Sequence, residues 1–161
     1  MMLMIFEGLI LSFRLLLICV VGISNGAVGL VNFYEQDVRD RAVELGLTTK
    51  EKIKRANAVS GAAMFIPNLL AVPAAVHFIN GASGFVNCFL QIYAVYMIAN
   101  LFDRLFIDEW WVCRTKAWLI PGTEDLMPYI PAKRKLVKWT GSVVGFAIMA
   151  AAASGVLLLI G

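Results

Sequence analysis

Three features of the sequence predict an all-α integral membrane fold, a four-helix transmembrane bundle with short amphipathic segments on one side. Of 161 residues, 60% are hydrophobic and only 16% charged, where a soluble domain carries about a quarter charged. The apolar residues gather into four stretches, near 8–31, 57–79, 85–102 and 139–160, and a bilayer-spanning helix needs roughly 17–25 such residues. The charges fall almost wholly into two connectors, 34–56 and 103–138. The length suits one domain, 1–161.

Residues 1–33 are apolar apart from Glu7, Arg14 and a few small polar side chains. As one helix they would extend about 50 Å, against a hydrocarbon core of roughly 30 Å. The helix is therefore either strongly tilted or preceded by an interfacial segment, and the span is placed at 8–31. Residues 1–13 hold no lysine or arginine, so the stretch lacks the basic start of a signal peptide and reads as a retained span. In the connector that follows, Val38, Ala42 and Leu45 share a face of a short helix stopped by Gly46. Thr48-Thr49-Lys50-Glu51 has capping-box spacing, so a second helix is expected from Thr48. Pro67 and Pro73 fall inside the span it enters and predict a bend, with Asn68 a candidate partner for the freed carbonyls. Asn80-Gly81-Ala82-Ser83-Gly84 is an uncharged turn, and Asp103-Arg104 is expected to close the third span.

The basic residues set an orientation. Residues 34–56 hold Arg39, Arg41, Lys50, Lys52, Lys54 and Arg55; residues 103–138 hold Arg104, Arg114, Lys116, Lys133, Arg134, Lys135 and Lys138; Arg14 stands alone. Four spans put both connectors on one side, and the positive-inside rule makes that side cytoplasmic, with both termini outside a cell membrane. Trp110, Trp111, Trp118 and Trp139 lie at the same boundary, where indole rings prefer to sit. Anionic lipid of the cytoplasmic leaflet is the expected partner, with the cluster at 133–138 acting as anchor. Nucleic acid is not expected, because each connector also carries five acidic residues: Glu35, Asp37, Asp40, Glu44 and Glu51 in one, Asp103, Asp108, Glu109, Glu124 and Asp125 in the other. Gly22, Gly26 and Gly29 on the first span, with Gly141, Gly145, Ala151 and Gly155 on the last, permit close helix approach, within the chain or in a homo-oligomer.

Several polar groups are candidates for function. Glu7 and Arg14 stand two turns apart, and ionisable groups inside a membrane mark sites by default; a snorkelling Arg14 is the simpler alternative. His77 is expected at a depth similar to Glu7, where a contact between the two is one option and a satisfied interfacial histidine the plainer one. Asn87, Gln91 and Asn100 make the third span the most polar, suited to interhelical bonds or a polar cavity. Gly81-Ala82-Ser83-Gly84 resembles the GxSG motif of rhomboid intramembrane proteases, but no histidine follows to activate the serine. Cys19, Cys88 and Cys113 form no CxxC pair, so neither a metal site nor a dithiol is expected.

The densest chemistry lies in 103–131: Asp103, Asp108, Glu109, Arg114, Lys116, Glu124 and Asp125 beside tryptophans and a Pro121-Gly122 turn. Arg114 and Lys116 suit a lipid phosphate, the carboxylates suit a hard cation or acid–base work, and mutual pairing of the charges is the plain alternative. The run Trp110-Trp111, then Thr115-Lys116-Ala117-Trp118-Leu119-Ile120-Pro121-Gly122-Thr123-Glu124-Asp125-Leu126, together with 41–49, resembles a group of small uncharacterised bacterial four-span membrane proteins. That resemblance implies a bacterial inner-membrane protein and brings no activity or cofactor with it. Three classes of function stay open. A non-enzymatic binding, scaffold or accessory module would self-associate. A lipid-directed enzyme requires Asp108, Glu109, Glu124 and Asp125 to converge. A transporter or channel subunit requires a continuous polar path from Glu7 to Asp103.

Overall fold

Hydrocarbon offers backbone N–H and C=O groups no partner but each other, so a chain this apolar folds as helix. The computed structural model describes residues 1–160, and among them there is helix and no strand. Four helices are long and apolar enough to cross a bilayer: α1 (Met2–Ile23), α3 (Lys50–Ala74, prolonged to Ile79), α4 (Phe85–Phe102, prolonged to Val112) and α5 (Ala132–Ile160). A short amphipathic α2 (Gln36–Glu44) lies between the first two. Phe6, Phe13, Leu70, Phe78 and Ile148 stand exposed along the long helices, which is an arrangement that lipid, not water, solvates. The protein is a multi-pass membrane protein.

α4 is the centre of the bundle, packed between α1 and α5, while α3 touches the others more sparingly. Two apolar cores follow. Val72, Val76, Ile92, Val95, Tyr96 and Ala150 fill the end near the 80–84 turn. The opposite end packs α1, α2 and the start of α3 against the 107–130 segment, through residues such as Val38, Ala42, Ile107 and Ile120.

The first span is shorter than 8–31. α1 begins at Met2 and stops at Ile23, about 33 Å of helix that needs no strong tilt. Ser24-Asn25-Gly26 breaks it: Gly26 adopts φ +105°, open to glycine alone at low cost, and a 3₁₀ turn over Ala27–Phe33 doubles back. Gly29 then sits against the carbonyl of Gly22, an approach that a Cβ would block. Asn32 donates to the Ser60 hydroxyl at 2.9 Å and ties this turn to α3.

α2 forms where the sequence predicts, burying Val38 and Ala42. It closes with Gly46 and Leu47 N–H bonded to the Val43 and Ala42 carbonyls, the paired bonds of a Schellman stop. Leu45, expected on the buried face, is half exposed and reaches over Gly122 instead. The cap of α3 is Thr49, one residue later than Thr48, its hydroxyl accepting from Lys52 N at 3.3 Å. Pro73 leaves α3 one donor short, and the helix re-registers into a wider π winding over Ala75–Ile79.

α4 does not end at Asp103. It continues to Val112 in the wide π form, so the 103–138 connector begins as helix and contracts at its far end, where α5 starts at Ala132. Charge does not stop the helix because it is neutralised in place: Arg104 bonds Asp108 one turn on and Asp103 at 2.8 Å.

Candidate functional site

Tyr34, at the foot of the 3₁₀ turn, donates its hydroxyl to the Trp118 carbonyl at 2.5 Å across 84 residues of sequence. Its ring meets Tyr129 edge-on at 5.0 Å and Trp118 at 6.0 Å, and Trp118 meets Trp111 edge-on at 5.4 Å. The Tyr129 hydroxyl accepts from Ile120 N at 3.2 Å and shares a 2.6 Å bond with Thr123. Burial, with Tyr129 adding to it, pushes the Tyr34 phenol far above its usual range, so it stays a neutral donor. These bonds fold 115–130 into a strap lying on α2 and the 3₁₀ turn. Both basic connectors therefore meet at one end of the bundle.

Ion pairs fasten the strap and α5. Lys138 reaches Asp108 at 3.5 Å, Arg134 reaches Glu35 at 3.1 Å, and Glu109 is held by Lys135 at 2.5 Å and Arg114 at 2.9 Å. Arg41 bridges to Asp125 at 3.4 Å, and Glu124 accepts from Gly122 N at 3.1 Å. Arg104 and Asp108 side chains are only 15% and 13% exposed, so their pairing matters far more than that of the open Arg41–Asp125 contact.

Under the strap lies a cavity of about 200 Å³ walled by α1, α3, α4 and the aromatic residues. Its apolar side includes Leu15, Ile18 and Met64; its charged rim is Glu35, Asp103, Arg104, Asp108 and Lys138. A second cavity of about 190 Å³ lies toward Arg14, Asn68 and Asn100. Leu15, Ile18, Met64, Asp103 and Arg104 line both.

The sequence candidates scatter. Asp103 and Asp108 reach the rim of the cavity; Glu109, Glu124 and Asp125 are engaged elsewhere, as described above. Arg114 is spent on Glu109, and Lys116 is exposed with no carboxylate within 4 Å. The convergence required of the four carboxylates is therefore not found, and among the described residues no three potential ligands are grouped to hold a metal ion. Burial raises the Cys113 thiol, whose Sγ rests 3.9 Å from the Ile130 carbonyl.

Within the bilayer, Arg14 does not snorkel. Because α1 starts at Met2, Arg14 sits about 18 Å from that end and about 14 Å from Ile23, near mid-membrane. Its guanidinium donates to Asn68 Oδ1 at 2.6 Å and to the Ala63 carbonyl. Ala63 is four residues before Pro67, so Arg14 supplies the hydrogen bond that the proline withholds, the duty expected of Asn68. Glu7 accepts from Asn80 Nδ2 at 3.2 Å, not from His77, whose ring packs edge-on against Phe78. Asn80 also donates to Gln91, which donates to Asn87 at 3.0 Å. Asn100 accepts from Arg104 at 3.4 Å. Between the Glu7 group and Arg14 lies the apolar core of Val72, Ile92 and Val95, which interrupts the path a transporter requires.

Sequence reasoning passed over Arg104 and Lys138 as site residues. The Arg104–Asp108 spacing of four was a usable signal; the meeting of Tyr34, Trp118 and Tyr129 has no local signature. No protein-family model matches the chain, and no curated protein or solved structure is similar to it.

Proposed function

We propose that this multi-pass protein is a non-enzymatic membrane module, a binding, scaffold or accessory subunit that holds an amphiphilic ligand under its strap and self-associates. The observation that carries this reading is the fate of the charges: Asp103, Asp108, Glu109 and Glu35 are neutralised by Arg104, Lys138, Lys135, Arg114 and Arg134. Glu35, Asp103, Arg104, Asp108 and Lys138 rim the cavity, and the set presents no free acid–base pair. In this reading the protein resides in a bacterial inner membrane with the strap cytoplasmic and both termini outside, on the strength of the basic connectors and the resemblance carried by 115–126. The exposed Lys50, Lys52, Lys54, Lys116 and Lys133 have no carboxylate partner and meet anionic lipid.

Self-association would use α5, where a Cβ added at Gly141, Gly145 or Gly155 meets nothing within 4 Å. These glycines serve no contact inside the chain, unlike Gly8 and Gly22 of α1. Native mass spectrometry from a maltoside micelle tests both halves. One lipid-mass adduct is expected per chain, lost in Met64→Trp, which fills both cavities; oligomers are expected that Gly145→Leu dissociates. A bare chain under every condition retires the binding role, and monomers alone retire the self-association.

A further inference from the structure

The ion pairs of this protein are unevenly shared. Arg41, Arg104, Arg114, Arg134, Lys135 and Lys138 each meet a carboxylate. Among the described residues, Arg39, Lys50, Lys52, Lys54 and Arg55 meet none within 4 Å. Three of these unmet bases, Arg39, Lys50 and Lys54, line one open groove of about 410 Å³ between α2 and α3. Two helix faces build it. Arg39, Asp40 and Val43 come from α2, and Lys50, Ile53 and Lys54 from α3, at spacings of three and four that share a face. Val43 and Ile53 belong to the apolar core beneath, so the floor is closed while the walls are polar.

Asp40 is the only carboxylate lining the groove, and it is engaged. Its Oδ1 accepts from Gln36 Nε2 at 2.8 Å, and Gln36 Oε1 accepts from Arg39 Nη2 at 2.8 Å. Gln36 thereby holds the guanidinium in place without neutralising it. Three positive charges stand against one negative, and Lys50 and Lys54 lie one turn apart, where like charges repel. The arrangement is costly unless an anion enters.

Depth names the source of that anion. α3 passes from Lys50 into its span, and Val59 is the first large apolar side chain that it exposes. Lys50 and Lys54 lie about 6 Å apart along the axis, comparable with the roughly 5–7 Å of headgroup layer on each side of the hydrocarbon. We infer that the α2–α3 groove binds the headgroup of an anionic membrane lipid carrying two negative charges, its phosphate oxygens met by Arg39, Lys50 and Lys54. The inference sharpens the contact of the exposed lysines with anionic lipid into one site and rests on that reading. It is separate from the cavity under the strap, with which the groove shares no lining residue.

The experiment is native mass spectrometry of the full chain, stripped of lipid in maltoside micelles and titrated with phosphatidate, phosphatidylglycerol or phosphatidylcholine of equal chain length. At about pH 8 a phosphomonoester carries nearly two charges. Phosphatidate should occupy a first site about tenfold more tightly than phosphatidylglycerol, and phosphatidylcholine should show no saturable site. Lys50→Gln with Lys54→Gln should weaken phosphatidate about tenfold. Lys52→Gln with Arg55→Gln removes the same charge from the same end of α3 but outside the groove, and should change affinity less than about twofold. Asp40→Asn removes the groove's one negative charge and should tighten phosphatidate about threefold, a gain that a damaged fold would not produce. Met64→Trp, which fills the cavity under the strap, should leave it unchanged. Equal losses in the two double variants reduce the contact to diffuse attraction and overturn the site, while the anionic-lipid reading stands. Phosphatidylglycerol binding as tightly as phosphatidate, no gain in Asp40→Asn, loss in Met64→Trp, or displacement by equimolar glycerol phosphate also overturns it. If phosphatidate binds no better than phosphatidylcholine, site and reading both fall.

Discussion

Arg14 and Pro67 should be thermodynamically coupled although they lie on different helices. Arg14→Leu removes two charge-assisted hydrogen bonds, to Asn68 Oδ1 and to the Ala63 carbonyl, each worth about 1.5–3 kcal/mol. It also relieves the cost of an arginine at mid-bilayer, about 2.5–3.5 kcal/mol on insertion scales. The balance is a modest destabilisation of roughly 1–2 kcal/mol. In a Pro67→Ala background the alanine N–H supplies the Ala63 carbonyl from within α3, so Arg14→Leu no longer orphans that oxygen. The substitution then becomes neutral or stabilising, and the interaction term of the double-mutant cycle is about 2 kcal/mol, roughly 30-fold in the folding equilibrium. Reversible unfolding in mixed micelles of maltoside and dodecyl sulfate, followed by far-ultraviolet circular dichroism, measures all four corners. Pro73→Ala is the control, since its freed carbonyl lies a turn and a half further on and should show no coupling to Arg14. Equal costs of Arg14→Leu with and without Pro67 would refute the assignment of Arg14 as the missing donor.

Three further outcomes follow from the packing at the strap end. Arg104→Met leaves Asp103 and Asp108 facing each other with Lys138 alone; with side chains 15% and 13% exposed in the Arg104–Asp108 pair, the loss should reach about 3–5 kcal/mol, and Arg104→Met with Asp108→Leu should recover much of it in the same unfolding assay. Tyr34→Phe orphans the buried Trp118 carbonyl and should cost about 1–3 kcal/mol. Because burial raises the Tyr34 phenol, the folded state holds that proton more tightly than the unfolded chain; stability is complete below the ordinary phenol value near 10 and declines above it, so Tyr34→Phe should flatten the alkaline limb of a stability–pH profile. Gly29→Ala drives a methyl into the Gly22 carbonyl and should destabilise by about 1–3 kcal/mol, whereas Gly145→Ala, with nothing near its Cβ, should leave the melting temperature of the monomer unchanged.

Reading the chain succeeded where one solvent decides the outcome. Hydrocarbon selects long apolar runs irrespective of their neighbours, so the four helices and the two charged connectors stand out from composition alone, and Val38, Ala42 and Gly46 announce α2 and its stop through short-range periodicity. It failed where a few residues outweigh a long run. Ser24-Asn25-Gly26 is hidden in an apolar stretch, yet one positive φ at Gly26 ends the helix and turns 27–33 back on it. Asp103-Arg104 looked like a terminus because charge usually leaves the bilayer, but the pairing of Arg104 with Asp103 and Asp108 lets α4 run on to Val112. The site was half readable: Asp103 and Asp108 were singled out, whereas Tyr34 and Trp118 meet only through tertiary folding.

Most polar groups inside this bundle are met by the chain itself, and a few, Ser154 Oγ on α5 among them, are not. Arg14 answers a proline, Asn32 answers Ser60, and Asn80 bridges Glu7 and Gln91; apart from the Asn80 carbonyl oxygen, each buys local order with bonds already made. Trp118 Nε1 and Asn100 Nδ2 answer nothing, yet they stand within the best-braced part of the molecule, where the Arg104 ion pairs, the Tyr34 hydroxyl and the Thr123–Tyr129 bond hold their surroundings. A loosely packed region could turn such donors toward a carbonyl of its own. A braced one keeps them unmet, and the same bracing fixes the walls of the cavity beneath the strap, which lowers the cost of ordering on ligand capture. Loosening the brace should therefore weaken binding before it weakens the fold: Tyr34→Phe is expected to reduce retention of the lipid-mass adduct even at temperatures where the helices remain fully formed, and undiminished retention in that variant would detach the strap from the cavity beneath it.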